Sequence, residues 1–245
     1  MQKIDPRYLS LPTEAVIKSV RRTGSTNDDL KRVAMLDVNE PYVLFAAEQT
    51  AGRGRTGRTF YSRDGLYMSV LFPSLPTETA SFLTHIAAVA VARSIREVTG
   101  LPALIKWVND VYIDGKKVCG ILSESVPTPF GRRYIVGIGV NVGTPKGELP
   151  SDIQGIAAYF AGDKNALAAR ITEALFRLVN DFDVGALREE YAALSFLLGK
   201  TVTVSDAAGE RPATVLGLTP SLGLEVRYSD GTRAELISGE VHLIL

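Results

Sequence analysis

The sequence predicts an α+β protein with a mixed, mainly antiparallel sheet flanked by helices, followed by a small all-β segment. Three observations indicate this class. A long stretch before residue 100 has helical periodicity, strand-like segments joined by tight turns run from residue 104 to 142, and closely spaced short strands fill the chain after residue 200. With 245 residues, the chain is long enough to form one substantial domain with its own core and a small second domain.

The first half of the chain contains two predicted helices and two predicted strands. Thr26 followed by Asp29 in "STNDDLKRVAML" is a capping-box pattern and predicts a short helix. Short apolar runs predict strands over residues 42–49 and 65–72, on either side of a stretch rich in Gly and Arg. A helix over residues 79–99 follows, because its apolar residues recur at helical spacing and a Gly-Leu-Pro stop signal comes directly after it.

The second half begins and ends with predicted strands. The segments "LIKWV", "VYI", "KVCGILSES" and "RYIVGIGVNV" predict an antiparallel meander, with the Asp-Gly pair after "VYI" as a hairpin turn. Apolar residues at helical spacing predict helices over residues 165–182 and 186–198. Several short strands at close spacing then predict a small β-barrel of SH3-like size. We therefore expect two domains, residues 1–196 and residues 197–245.

Composition and charge argue against several classes of protein. Lys plus Arg and Asp plus Glu each total 27, so the formal net charge is zero and no global field attracts a polyanion. Cys119 is the only cysteine, which excludes an intramolecular disulfide and a cysteine-based metal cluster, and His85 and His242 offer little for zinc. The sequence shows no apolar signal-peptide core and no apolar run near the roughly 18 residues of a membrane helix. We expect a cytoplasmic protein without a membrane or nucleic-acid partner.

The stretch from Gly52 to Arg58, "GRGRTGR", raises the first functional question. Its glycines match G-x-G-x-x-G, but a dinucleotide-binding site needs a helix directly after them, whereas a second strand is predicted here. No Walker lysine and no kinase motif is present. Glycines that permit close backbone approach, with arginines that donate charge-assisted hydrogen bonds, suit a phosphate held against the main chain. A nucleic-acid contact and a flexible basic turn stay open as alternatives.

Three other short motifs carry polar residues among apolar neighbours. Lys106 lies in "IKWVND" at the end of a predicted strand, where it is either a snorkelling surface residue or a charge that enters a site. Ser25, Thr26 and Asn27 form "STN", which taken alone is a helix cap. "GIGVN" ends at Asn141. Taken alone, it predicts only a strand whose glycines permit close packing.

Taken in order, "STN", "EQTAGRGRTGR", "IKWVND", "KVCGILSE" and "GIGVN" resemble the motif set of the biotin protein ligases, and the segment with "SGEVHL" resembles their small C-terminal domain. The resemblance begins at about Arg22 and implies a class II synthetase-like catalytic domain. Two positions depart from the family pattern. Val108 stands where the family usually has proline after Lys-Trp, and "TFYS" stands where a tryptophan often follows the loop, so that Phe60 or Tyr61 would cover adenine.

The resemblance implies a two-step ligase reaction. Biotin and ATP form biotinyl-5′-adenylate and pyrophosphate, and a lysine of a biotin carboxyl carrier protein then accepts the biotinyl group. Mg²⁺ would accompany ATP as the cofactor and neutralise the outgoing pyrophosphate. Two anions about 4 Å apart repel by on the order of 4 kcal/mol at an effective dielectric constant of about 20, so cations are needed where they meet.

The resemblance also implies roles for individual residues. Lys106 and Arg55 are the expected catalytic residues, with Lys106 at the carboxylate and the α-phosphate. The expected biotin-binding residues are Ser25, Thr26, Asn27, Gln49, Arg53, Gly54, Arg55 and Lys106. The expected ATP- and adenylate-binding residues are Arg53, Arg55, Arg58, Lys106 and Asn141. The loop would close as a lid that excludes water from the adenylate, and no metal ligands are assigned.

Regulatory members of this family also carry an N-terminal DNA-binding domain, which needs roughly 60 residues. Only 24 residues precede Ser25, so we expect no repressor role. A lipoate or octanoyl ligase or transferase of related architecture is the nearest alternative, and a non-enzymatic nucleic-acid-binding protein is a more distant one. The sequence leaves open whether two copies form a homodimer.

Overall fold

A seven-stranded sheet is the centre of the fold in a computed structural model, which describes residues 14–61, 65–144, 151, 153–206, 209–237 and 240–243. Its strands are β1 (Val16–Val20), β2 (Tyr42–Ala46), β3 (Leu66–Phe72), β4 (Leu104–Lys106), β5 (Asp110–Ile113), β6 (Lys116–Thr128) and β7 (Gly131–Val140). They lie in the order β1-β2-β3-β7-β6-β5-β4, and the pair β1 and β2 is parallel while the other neighbours are antiparallel. The predicted mixed, mainly antiparallel sheet is confirmed.

Helices pack on this sheet and supply most of the remaining core. In the described part of the chain they are α1 (Thr26–Ala34), α2 (Thr77–Ser81), α3 (Leu83–Thr99), α4 (Lys164–Asn180) and α5 (Val184–Ala193). The apolar residues of α3 are buried almost without exception, because the sheet covers one side of the helix and α4 and α5 cover others. None of the described helices has the length and apolar character that crossing a bilayer requires.

The structure refines one of the sequence predictions, confirms another and adds a strand that the sequence did not predict. The helix predicted over residues 79–99 is two helices that meet at Phe82, whose backbone leaves the helical region (φ −103°, ψ 7°) while its ring stacks on Phe182. The predicted hairpin turn is present, with φ values of 50° at Asp114 and 75° at Gly115. β1 has no counterpart among the predicted strands, because Lys18 breaks its short apolar pattern at the sheet edge.

The C-terminal part forms a second sheet that packs on the first part. In the portion described, its strands are β8 (Thr201–Asp206), β9 (Gly209–Leu218), β10 (Leu224–Tyr228), β11 (Arg233–Leu236) and β12 (Glu240–Leu243). They are antiparallel and lie in the order β11-β10-β9-β8-β12. Val202 and Val204 join the same buried cluster as α3. Trp107 Nε1 also donates a hydrogen bond of 3.0 Å to the Leu222 carbonyl, so the two parts share core and polar contacts.

His85 is a buried titratable group at this junction. Its ring contacts Phe82 and Tyr191 with centroid distances of 5.9 and 5.3 Å. Neither ring nitrogen makes a hydrogen bond to the described residues. Burial lowers the pKa of His85 to about 4, against a smaller opposing effect of the Leu222 backbone, so the imidazole is neutral at pH 7.

We expect the free energy of unfolding to fall as the pH decreases from about 6.5 to about 4. The unfolded chain, with its histidine pKa near 6.5, binds a proton in this window that the folded protein does not, so stability present above pH 6.5 is lost, by on the order of 3 kcal/mol. Urea unfolding of wild type and His85→Gln across this range measures the effect. The variant should show a shallower pH dependence, although His242 is still present; parallel curves would contradict the prediction.

Candidate active site

A cavity of ≈ 530 Å³ lies against one face of β6 and β7. It is lined by Ser25, Thr26, Asn27, Gln49, Arg53, Gly54, Arg55, Arg58, Thr59, Phe60, Met68, Lys106, Trp107, Asn109, Asp110, Lys117, Gly120, Ile121, Leu122, Gly137, Ile138, Gly139 and Val241. These residues come from the start of α1, the segment after β2, the Gly/Arg loop, the turn between β4 and β5, the sheet itself and β12. Segments distant in sequence therefore meet in one cavity.

The start of α1 forms a buried polar end of the cavity. The backbone N–H and the hydroxyl of Thr26 donate to Gln49 Oε1 at 2.8 and 3.0 Å. This fixes the Gln49 amide with its oxygen toward the helix. The N-cap of α1 is Ser25, whose hydroxyl accepts from the Asp28 N–H, and not Thr26 as the capping-box pattern predicts. The helix thus starts with Thr26 as its first residue, so that the Thr26 hydroxyl can contact Gln49.

Asn27 lies directly on the sheet at the same end. Its Oδ1 accepts from Ser69 Oγ at 2.6 Å, and its Nδ2 donates to Glu124 Oε2 at 2.9 Å and to the Leu122 carbonyl at 3.3 Å. Gly137 faces it, and a Cβ at that position would overlap Asn27 Oδ1 and lie 2.9 Å from Cγ. Asn27 is only 4% exposed, so its hydrogen bonds hold the amide in one orientation.

The Gly/Arg loop folds back on itself above the cavity. The Gly54 N–H donates to the Arg58 carbonyl at 2.7 Å, and the Phe60 N–H donates to the Gly52 carbonyl at 2.9 Å. A 3₁₀ turn, Arg55–Gly57, forms its tip, and Gly57 has a φ of 77°, which favours glycine. The loop is therefore a closed turn, and Phe60, one of the two aromatic residues predicted to cover adenine, lines the cavity.

Two arginines of the loop contact residues outside it. Arg53 Nη1 lies 2.6 Å from Asp28 Oδ1, and Arg55 Nη1 donates to Asn109 Oδ1 at 2.9 Å. Partial burial opposes ionisation of Asp28, but hydrogen bonds and charge from Arg53 and Lys31 outweigh it and hold the pKa of this carboxyl below its usual value. Both ends of the loop tip are therefore tied to the body of the protein.

Two lysines reach the opposite end of the cavity. Lys106, at the end of β4, has its Nζ 5.5 Å from the centroid of the Tyr112 ring. Lys117, near the start of β6, has its Nζ 2.7 Å from Asp110 Oδ1. Lys117 is the first residue of the motif "KVCGILSE", but the sequence alone assigns it no role, because locally it is only the start of a strand after the Asp-Gly turn. The register of that hairpin, which places Tyr112 opposite Lys117, was the available signal.

Asp110 is the acidic residue among those that line the cavity. The described residues contain no group of three His, Cys, Asp or Glu side chains arranged to hold a metal ion. Mg²⁺ in nucleotide sites is commonly held by one or two carboxylates together with the phosphates of the substrate. The donor set here fits that arrangement, with Asp110 as the carboxylate, and does not form a metal site composed of protein ligands alone.

The structure brings nearly all predicted site residues together. Asn141 is the exception: it follows β7, is 6% exposed, and donates its backbone N–H to the Val118 carbonyl at 2.7 Å, but it does not line the cavity. Its contact with the nucleotide stays a prediction. Three residues without an assigned role also contribute directly: Ser69, which no motif contains, and Lys117 and Glu124, the two ends of "KVCGILSE". Strand pairing positions them.

The profile of the Biotin/lipoate A/B protein ligase family matches residues 19–141, which is half of the chain. A biotin–[acetyl-CoA-carboxylase] ligase of Paracoccus denitrificans is 31% identical over 226 residues, which cover 86% of this chain and 93% of the relative. The chain belongs to this family. The family expected from the motifs is thereby confirmed, and the matched region contains every residue predicted to bind a substrate.

Two further comparisons from the same family differ in coverage. A bifunctional ligase/repressor BirA of Bacillus subtilis is 38% identical over 148 residues, but the chain spans only 46% of its length. The biotin protein ligase of Aquifex aeolicus, solved in complex with biotin and ATP, superposes with a TM-score of 0.72 at 28% identity, covering 94% of this chain and 98% of that one. The likeness of fold therefore extends over the C-terminal sheet.

Replacing Gly137 by alanine should destabilise the fold, because the added Cβ overlaps the Asn27 amide. We expect the free energy of unfolding to fall by about 1–3 kcal/mol, the usual effect of overpacking. Urea unfolding measures it. Gly217→Ala is the matched control, since Gly217 also lies in a strand but has nothing within 4 Å of the added Cβ. Equal stabilities of the two variants would contradict the close packing of Asn27 on β7.

Proposed function

We propose that the protein is a biotin protein ligase. In the first step, a carboxylate oxygen of biotin attacks the α-phosphorus of ATP, the bond to the β-phosphate oxygen breaks, and pyrophosphate leaves. In the second, a lysine amine of a carrier protein attacks the acyl carbon, AMP leaves, and the amine loses a proton. Family membership and the likeness to a ligase solved with biotin and ATP support this proposal.

The buried polar end of the cavity is the observation that carries the choice of substrate. Thr26 and Asn27 are 3% and 4% exposed, and the Gln49 amide oxygen accepts two hydrogen bonds from Thr26. The ureido ring of biotin has two N–H donors and one carbonyl acceptor, which such hydroxyl and amide groups complement. The dithiolane of lipoate and the alkyl chain of octanoate have neither, and would not gain hydrogen bonds with these groups, each of which contributes about 0.5–1.5 kcal/mol.

The cationic end of the cavity suits the meeting of two anions. We assign Arg55 to the phosphate of the adenylate, and Lys106 or Lys117 to the carboxylate and α-phosphate as negative charge develops. Lys106 is the residue expected from the motif. Lys117 has the support of its position beside Gly120 and its ion pair with Asp110, both of which line the cavity. Arg53 and Arg58 complete the cationic wall, and Asn141 stays a predicted contact of the nucleotide.

Mg²⁺ accompanying ATP would supply charge neutralisation for the leaving pyrophosphate. Asp110 is the residue that would hold it, alongside the phosphates. Asp110 Oδ1 lies 2.7 Å from Lys117 Nζ, so this carboxylate and a cation of the cavity lie side by side. The loop above the cavity would exclude water from the mixed anhydride, which hydrolyses readily.

The remaining features of the proposal concern the whole chain. We propose residues 1–196 as the catalytic domain and residues 197–245 as a small SH3-like barrel; the second sheet and its strand order support this division. Val241 of β12 lines the cavity, so this domain adjoins the substrates. We propose the cytoplasm as the compartment and a biotin carboxyl carrier protein as the acceptor. A homodimer would be compatible with these assignments.

Incubation with ATP, Mg²⁺ and an acid substrate tests the function. We expect pyrophosphate release that depends on biotin, followed by transfer of biotin to the lysine of an added carrier protein. Lipoate and octanoate serve as competing acids in the same assay. Preferential activation of either would favour the related acyltransferase class, whereas salt-sensitive binding of DNA or RNA without pyrophosphate release would favour the nucleic-acid-binding alternative.

Comparison of Lys106→Ala with Lys117→Ala identifies the cation that acts on the reacting anions. Loss of that charge should lower kcat for adenylation by roughly 10²–10³-fold, with a much smaller change in the affinity for biotin. Burst kinetics of pyrophosphate release separate the two quantities. Lys116→Ala is the control, because this neighbouring lysine does not line the cavity. Wild-type adenylation rates in both variants would overturn the assignment of a catalytic lysine.

Arg55→Ala should release the adenylate faster. Its guanidinium ties the loop tip to Asn109, so its loss removes a charge-assisted hydrogen bond and opens the loop. We expect a roughly 10-fold or greater increase in the rate at which labelled adenylate leaves the enzyme, measured by rapid filtration. Arg132→Ala, which removes an exposed arginine of β7, should leave that rate unchanged. Equal retention by both variants would argue against a lid.

A further inference from the structure

Four charged side chains form a cluster beside the cavity, which we call the α1–loop cluster: Asp28, Lys31, Arg53 and Glu124. Lys31 Nζ lies 3.2 Å from Asp28 Oδ1 and 2.7 Å from Glu124 Oε1. Arg53 lies 2.6 Å from Asp28 and 3.7 Å from Glu124. The charges of the two carboxylates and the two cations cancel. Helix α1, the Gly/Arg loop and strand β6 each contribute at least one of the four side chains.

Glu124 differs from the other members because it also touches the polar end of the cavity. Its side chain is 20% exposed, less than that of the other three, and does not line the cavity. One carboxylate oxygen, Oε1, faces Lys31 and Arg53, while the other, Oε2, accepts from Asn27 Nδ2 at 2.9 Å. A single carboxylate therefore links the start of the Gly/Arg loop to the residue that lies on the cavity floor.

The contact with Glu124 decides which face of the Asn27 amide a ligand meets. An ionised carboxylate and the Leu122 carbonyl are acceptors only, so Asn27 must turn Nδ2 toward them. Oδ1 then faces Ser69 and the cavity. With both N–H groups committed to the protein, Asn27 offers a ligand an acceptor, which suits a ring N–H.

We propose that Glu124 is a positioning residue that orients the Asn27 amide and, together with Asp28, anchors Arg53 at the start of the Gly/Arg loop. This inference rests on the proposed function for its substrate. It separates the two carboxylates by role: Glu124 affects both recognition of the ring and position of the loop, whereas Asp28 affects the loop alone. Arg53 in this arrangement holds the loop through its side chain and lines the cavity beside Gly54.

Three variants separate these effects in kinetic assays. Glu124→Ala removes both contacts and should raise KM for biotin about 10-fold and release the adenylate several-fold faster. Glu124→Gln keeps an acceptor for Asn27 but loses the charge, so it should restore KM to within about 3-fold of wild type while the adenylate still leaves fast. Asp28→Asn should change KM for biotin less than 2-fold and also speed release. These fold-changes correspond to the loss of one hydrogen bond or one ion pair.

Limited proteolysis with trypsin tests the anchoring without use of the catalytic reaction. Glu124→Ala and Asp28→Asn should each be cut several-fold faster within residues 53–58 than wild type. Glu225→Ala is the matched control, since Glu225 is also paired with an arginine in a strand, Arg233 at 3.5 Å, but lies in the C-terminal sheet. Its cutting rate in the loop should equal that of wild type.

The outcomes distinguish failure of this inference from failure of the proposed function. Wild-type KM, adenylate retention and loop cutting in Glu124→Ala would overturn the positioning role. An equal loss of kcat in Glu124→Ala and Glu124→Gln, with KM and loop cutting unchanged, would show a merely structural role and would also overturn it. Absence of biotin-dependent pyrophosphate release by wild type would refute the function, while the proteolysis result would still decide whether Glu124 anchors the loop.

Discussion

The site depends on a patch of three glycines on one face of the central sheet. Gly120 and Gly139 are cross-strand partners on β6 and β7. Gly137 lies two residues before Gly139 on β7 and therefore on the same face of the sheet. A Cβ at Gly139 would lie 2.5 Å from the Phe60 ring, and one at Gly137 would overlap Asn27. The bare patch therefore lets both the start of α1 and the end of the Gly/Arg loop lie directly on the sheet, one at each end of the cavity.

Strand order then determines which polar groups meet Asn27. Ser69 is the cross-strand partner of Gly137 on one side, and Leu122 is its partner on the other, so three neighbouring strands present a hydroxyl, a glycine and a carbonyl in one row. Asn27 hydrogen-bonds to both ends of that row. Because β7 lies between β3 and β6, which are far apart in sequence, this row follows from the sheet topology and has no signature in any local stretch of sequence.

The difference between local sequence signals and contacts set by sheet topology also explains how much of the fold and of the site the sequence predicts. Helices and strands with clear periodicity, and the residues of "STN" and "GRGRTGR", were predictable because their signals are local. Lys117 and Glu124 begin and end the motif "KVCGILSE", but their roles were not predictable, because their contacts with Asp110 and α1 depend on the fold. The cap of α1 shows a finer limit: Ser25 and Thr26 are both good cap residues, and only the contact of Thr26 with Gln49 separates their roles.

The turn between β4 and β5 connects the cavity with the rest of the protein. Behind it, Trp107 donates to the Leu222 carbonyl of the C-terminal sheet, and the Tyr191 hydroxyl of α5 donates to the carbonyl of Val108, the residue that replaces the family's proline. In front of it, Asn109 accepts from Arg55 of the loop and donates to the Ile121 carbonyl of β6. A displacement of the C-terminal sheet would therefore move the same turn that holds the loop tip. The C-terminal sheet is thus coupled to the cavity through this turn, in addition to the contribution of Val241 to the cavity wall.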